Sequence, residues 1–227
     1  MLFIKNLIYK FLNNQISNIY TKRFNKFQNT PKGVFWNNTL SQDLRLNIIL
    51  DKIIALNPGL TSIADIGCGY GRFFEIIKER KFNNKIEYFG FDINQELINF
   101  CKNNKHFING KFFVRAHPLQ NIDFVIMSGT YNLSPINNVK LWENYIVENL
   151  KSNWRFTNKA LIFNCLINKE RQIKNNLYYT ELSWIKKICE NNFGKPSISK
   201  NNLLPNDATL ILKKPSALTL FPINYMS

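Results

Sequence analysis

The stretch Ala64-Asp65-Ile66-Gly67-Cys68-Gly69-Tyr70-Gly71-Arg72 restricts the fold of this chain more than any other. It stands between a short apolar run, Ser62–Ile66, that reads as a strand and an amphipathic run, Phe73–Arg80, that reads as a helix. Glycines at every second position let the backbone turn tightly and come close to a ligand. The free N–H groups of the following helix start favour an anionic ligand group. A strand, a glycine loop and a helix in this order belong to a parallel α/β sheet whose ligand lies at the carboxyl ends of its strands.

The rest of the chain agrees with such a sheet. Strands are predicted at Ile86–Phe91, Lys111–Arg115, Ile122–Met127 and Ala160–Phe163, with helices at Gln95–Lys102, Val139–Leu150 and Leu182–Asn191. Ile122–Met127 is almost continuously apolar, as a strand buried on both faces requires. Ser197–Ser199 and Ala208–Lys213 are the expected closing strands. The expectation is an α/β, Rossmann-like, doubly wound, mostly parallel seven-stranded sheet. A helix over Ser41–Leu56, stopped by Asn57-Pro58-Gly59, precedes it.

Three segments are expected: residues 1–30 as a basic amphipathic helix, 31–214 as the α/β domain, and 215–227 as a tail. Apolar residues recur at helical spacing through Ile4, Ile8, Leu12, Ile16, Tyr20, Phe24 and Phe27, and the first acid is Asp43. This helix either packs on its own domain, lies on an anionic membrane surface, or meets a partner.

Asp92, just after the second strand, falls beside the glycine loop at the carboxyl edge. Its carboxylate there either accepts hydrogen bonds from both hydroxyls of a ribose or caps the helix that begins at Asn94-Gln95. The loop runs G-x-G-x-G, and Arg72 occupies the place of the third glycine in the dinucleotide fingerprint G-x-G-x-x-G, which argues against a nicotinamide dehydrogenase. Cys68 and Tyr70 read as wall residues of the loop.

Asp65-Ile66-Gly67-Cys68-Gly69-x-Gly71 resembles motif I of class I S-adenosylmethionine-dependent methyltransferases, and Asp92 resembles their ribose acid. A closer resemblance is to an uncharacterised, trans-aconitate methyltransferase-like family. It is carried by Thr30-Pro31-Lys32-Gly33-Val34, Trp36-Asn37, Ser41-Gln42 and Arg45, by Ser128-Gly129-Thr130-Tyr131-Asn132 and Ile162-Phe163-Asn164-Cys165-Leu166, and by Tyr178-Tyr179. Phe35 and Ala116-His117 depart from it, where the family usually carries an acid and Gly-Asp.

The resemblance implies S-adenosylmethionine as cofactor, held by Asp65, Gly67, Cys68, Gly69, Gly71, Asp92, Ile93, Ser128 and Gly129. It implies in-line transfer of a methyl group; as no nucleic-acid module is appended to the cofactor motifs, the expected acceptor is oxygen or nitrogen of a small molecule or glycan precursor. The loop Ser128–Asn132 lacks the Asn/Asp-Pro-Pro-aromatic motif of enzymes that methylate adenine or amide nitrogen. Tyr131 and Asn132 are candidates to position or polarise the acceptor, and His117 is a candidate base; each is otherwise a loop residue. Arg45 with Gln42 either binds an anionic group of cofactor or acceptor or forms a surface pair. Trp36 either lids the pocket or packs beneath it.

The net charge of +15 reflects either a general excess of lysine on solvated surface or an anionic partner such as RNA. No RNA-binding motif accompanies it, so RNA is the less favoured acceptor, and a non-catalytic interaction protein on the same scaffold is the third reading. Four cysteines without paired spacing suit a reducing compartment, and no zinc-like cluster appears. No secretory signal opens the sequence and no run of about 18 apolar residues occurs, so a cytoplasmic protein without a membrane span is expected.

Overall fold

Apolar residues alternate between two faces along each strand, so a sheet of them must be covered on both sides. The computed structural model, which describes residues 2–215, realises this. The strands are β1 (Thr61–Ile66), β2 (Ile86–Asp92), β3 (Lys111–Val114), β4 (Ile122–Met127), β5 (Thr157–Leu166), β6 (Gln172–Lys174), β7 (Leu177–Tyr179), β8 (Ser197–Asn201) and β9 (Leu204–Lys213). The helices are α1 (Leu2–Phe27), α2 (Thr39–Leu56), α3 (Arg72–Glu79), α4 (Gln95–Asn103), α5 (Val139–Trp154) and α6 (Leu182–Asn192). Beyond residue 215, the expected tail lies outside the described residues.

Seven strands form one sheet in the order β3-β2-β1-β4-β5-β9-β8. The first five are parallel, and β9 runs antiparallel to both β5 and β8. On one face, α2, α3 and α4 pack through Ile49, Ile53, Phe73, Ile77 and Ile98 onto Ile63, Tyr88 and Phe124. On the other face, α1, α5 and α6 pack through Leu12, Trp142, Ile146 and Ile185 onto Ala64, Val125 and Leu161. A register irregularity between Ile122 and Phe124 lets both side chains be buried, although Ile122 joins one core face and Phe124 the other.

The strand order reverses between β1 and β4, and the loops after these two strands open side by side. That crevice is the place for a ligand. Helix α1 is docked on this side: Leu12 and Phe24 are buried, and the Tyr145 hydroxyl meets Asn13 Oδ1 at 2.5 Å. Among the described residues no helix is long and apolar enough to cross a membrane. The β6–β7 hairpin was not expected from sequence, and β5, β8 and β9 are each longer than expected.

Candidate active site

The glycine loop is fixed from below by β2. The N–H groups of Gly67 and Cys68 both donate to the Phe91 carbonyl, at 2.7 and 3.0 Å. Gly67 sits at φ +74°, and a Cβ there would lie 2.9 Å from Thr130 Cγ2. Thr130 in turn donates its hydroxyl to the Ile66 carbonyl at 2.7 Å, so the loops after β1 and β4 are tied together. Gly71 does not line the cavity, against expectation. It caps α3 at φ +88°, and a Cβ would lie 2.5 Å from Phe107 Cε2, so this glycine serves the packing of α3 rather than contact with a ligand.

Above the crevice lies a cavity of about 420 Å³, within the size range of small-molecule sites. Of the residues expected to hold a cofactor, Asp65, Gly67, Cys68, Gly69, Asp92, Ile93, Ser128, Gly129 and Arg45 line it. So do Trp36, Gln42, Tyr131 and Asn132 from the expected acceptor set.

Two buried carboxylates dominate its electrostatics. Asp65 Oδ2 accepts from the Tyr88 hydroxyl at 2.7 Å. Asp92 accepts from the N–H groups of Gly69 at 3.0 Å and Asn94 at 2.9 Å. Neither has an ion-pair partner among the described residues, and they are only 4% and 8% exposed. Burial therefore pushes Asp65 up to about 7 and Asp92 up to about 6, despite hydrogen bonds that pull the other way. A cationic, hydroxyl-bearing ligand would relieve both. The buried Ser128 hydroxyl, in a residue that lines the cavity just after β4, has no hydrogen-bond partner among the described residues.

The helix after β2 takes its cap from Asn94, whose Oδ1 accepts from Leu97 N at 3.0 Å. Asp92 is thus relieved of the capping role and is free for a ligand. The Asn94 amide nitrogen donates to the Ser17 carbonyl and to Thr21 Oγ1, each at 2.8 Å. This pins α1 across the site, and Ile16, Ser17 and Tyr20 form part of the cavity wall. Sequence periodicity made α1 a helix but carried no signal of where it docks.

Cys68 is a buried wall residue. Burial, the neighbouring Cys101 and the nearby carboxylates hold its thiol well above the usual range, so it stays protonated and is no nucleophile. Trp36 lies against the loop after β4: a Cβ on Gly129 would come within 2.7 Å of its ring. The Arg45 guanidinium stacks 4.8 Å over that ring and donates to Asp207 Oδ2 at 2.6 Å. Gln42 Oε1 accepts from the Tyr70 hydroxyl at 2.7 Å. The anion-binding pair expected from Gln42 and Arg45 is therefore already engaged within the protein.

Two further expectations are corrected by tertiary packing. His117 does not line the cavity; its ring stacks on Phe156 at 5.7 Å, and Nδ1 lies 2.9 Å from the Pro118 carbonyl. Tyr131 lines the cavity but is packed into the core, and its hydroxyl is engaged with Met127 Sδ at 3.3 Å. Asn132 remains on the cavity wall, its carbonyl accepting from Tyr178 N at 2.8 Å.

The far wall was missed in the sequence. It consists of the β6–β7 hairpin, through Leu177 and Tyr179, and the β8–β9 turn with the start of β9, through residues 203–206. A signal for the hairpin was present: Asn175-Asn176, both at positive φ, separates two three-residue strands, and paired Asn suits a tight hairpin turn.

Residues 59–196 match the family described as a methyltransferase domain. A curated relative, the Mycobacterium tuberculosis protein named Putative methyltransferase Rv1506c, is 23% identical over 158 residues, covering 68% of this chain and 94% of the relative. Among solved structures the fold resembles magnesium protoporphyrin IX methyltransferase from Synechocystis PCC 6803 with bound S-adenosylmethionine, at a TM-score of 0.56 and 14% identity, covering 77% of this chain and 80% of that one. It also resembles a Burkholderia thailandensis N1-methyltransferase with bound 1,6-didemethyltoxoflavin and S-adenosylhomocysteine, at a TM-score of 0.60 and 8% identity, covering 89% and 88%.

Proposed function

This chain belongs to the methyltransferase-domain family, and from that premise we propose that it moves a methyl group from S-adenosylmethionine to oxygen or nitrogen of a small-molecule acceptor. The observation that carries the reading is the convergence of Asp65 and Asp92, both buried and without cationic partners, on one cavity at the glycine loop. Their shape and charge fit a nucleoside that carries positive charge. Asp92 holds the ribose hydroxyls, and Asp65 faces the ammonium end, directly or through water. The two solved neighbours, bound to adenosylmethionine or its demethylated product, and the porphyrin and toxoflavin precursors in their names support a small acceptor.

The cofactor supplies a methyl group already activated by its sulfonium, which leaves as a neutral thioether. The chain's part is therefore mainly alignment and exclusion of water, which can lower a barrier by roughly 7–11 kcal/mol. Gly129 and Asn132, in the loop after β4, face the reacting centre, and Trp36 closes over that loop. Among the described residues no histidine, lysine or glutamate lines the cavity, and its two aspartates are taken up by the cofactor in this reading. The acceptor atom is then nucleophilic without a strong base from the described residues, and the proton it sheds on methylation passes to solvent.

The reading is tested by titrating adenosylhomocysteine into the native protein and into Asp92→Ala. A charge-assisted contact of about 1.5–3 kcal/mol predicts a loss of roughly tenfold to a hundredfold in affinity, with the circular dichroism spectrum kept. Native protein that gives no binding heat rejects the proposal.

A further inference from the structure

We propose that the acceptor is an uncharged molecule with an apolar body, gripped by the β6–β7 hairpin, with Leu177 and Tyr179 setting its identity. This rests on the methyl-transfer reading and specifies the acceptor half of the same site.

Charge is the first argument. The chain carries +15, yet that excess does not reach the acceptor end of the cavity. Three arginines line the cavity. Arg45 is matched by Asp207 at 2.6 Å, in a pair whose side chains are 12% and 5% exposed. Arg72 is matched by Asp43, Glu75 and Glu79. Arg115 has no acid partner among the described residues, but it follows β3, which β2 and β1 separate from β4, and its main-chain N–H donates to the Asp92 carbonyl at 2.9 Å on the ribose flank. An anionic acceptor would shed water and find, among the described residues, no unmatched cation beside the loop after β4, a cost that an uncharged one avoids.

The second argument is the build of the hairpin. Side chains alternate along a strand, so Leu177 and Tyr179 share one face of β7 and Tyr178 takes the other. Tyr178 is turned inward, its hydroxyl donating to Glu143 Oε1 at 2.9 Å. Glu143 is buried and also accepts from Arg171 Nη1 at 2.9 Å, so its charge is compensated. The opposite face, with Leu177 and Tyr179, lines the cavity. Its position is set by main-chain bonds: Tyr178 N donates to the Asn132 carbonyl at 2.8 Å, and Leu177 bridges to Leu133. Leu133, Leu166 and Leu204 complete an apolar wall around it. The Tyr179 hydroxyl has no partner among the described residues, which leaves one polar group to orient a largely apolar guest.

The test uses native protein saturated with adenosylhomocysteine, titrated with naphthol and with the matching naphthoate. These probes share a ring system and differ in charge. Naphthol is expected to bind about tenfold or more tightly than naphthoate. Leu177→Asp, and separately Tyr179→Ala should the first misfold, is expected to weaken naphthol binding by about tenfold while adenosylhomocysteine still binds. Asp207→Asn leaves the Arg45 charge uncompensated and is expected to shift the preference towards naphthoate by about tenfold. The assignment is overturned if naphthoate matches naphthol on the native loaded protein, if naphthol does not bind, or if both hairpin variants keep native naphthol affinity. Protein that takes up no adenosylhomocysteine fails one step earlier and removes the cofactor reading itself, so the two failures are distinct.

Discussion

Asp65 and Asp92 ionise late, at about 7 and about 6, because burial penalises their charged forms more than their hydrogen bonds favour them. A cofactor that needs both as carboxylates must displace whatever proton they hold. Binding near pH 6.5 is therefore expected to release protons, a fraction from each group, and affinity should weaken as pH falls through about 7 and then 6 and level off above about 8. Calorimetry in buffers of different ionisation enthalpy measures the released protons; a count of zero at pH 6.5 contradicts it. These residues were legible in the sequence because their roles follow from local order, a carboxylate just before a glycine loop and another at the next strand end. Tyr131 and His117 were not. Whether a hydroxyl or an imidazole faces a cavity is decided by three-dimensional packing, here the turn of the Tyr131 hydroxyl to Met127 and the stacking of His117 on Phe156, 39 residues further along the chain.

At the level of elements, α1 and the glycine loop show how packing residues shape a site without touching a ligand. Asn94 caps α4 and holds α1 through Ser17 and Thr21, so Asn94→Ala removes a cap worth about 1 kcal/mol and also frees the helix that walls the cavity. A lowered unfolding midpoint is expected together with faster amide exchange over residues 13–21; unchanged exchange there would separate α1 from Asn94. Gly71→Ala places a Cβ 2.5 Å from the Phe107 ring at a backbone angle that disfavours it. It should cost about 1–3 kcal/mol in chemical denaturation, and Phe107→Leu in the same chain should recover part of the loss. The alternation of strand and helix was readable because each unit carries its own apolar period. The β6–β7 hairpin was not, since strands of three residues show no period; β8 was expected, but only over Ser197–Ser199, because at the sheet edge polar and apolar residues are tolerated alike and its end carries no signal.

For the whole molecule, the central question is where the charge of +15 resides. Composition alone could not separate a lysine-rich solvated surface from a surface built for phosphates, because both give the same sum. The fold separates the end of the cavity by the loop after β4 from that sum: Arg45 and Arg72 are matched by acids, Arg115 lies towards β3, and the carboxylates facing the ligand are buried. Charges buried in this way are screened little by salt, whereas exposed lysines lose their reach beyond about 10 Å at 0.1 M. Adenosylhomocysteine affinity should then change by less than about threefold between roughly 50 and 500 mM salt, as its contacts are with buried groups. An acceptor that relied on the basic surface through several phosphates would lose about a thousandfold or more in affinity over a smaller range. Measuring cofactor affinity and steady-state methyl transfer across that series reads the two ends of the site separately. A steep fall in transfer with level cofactor binding would move the acceptor out of the cavity and onto the lysine-rich exterior.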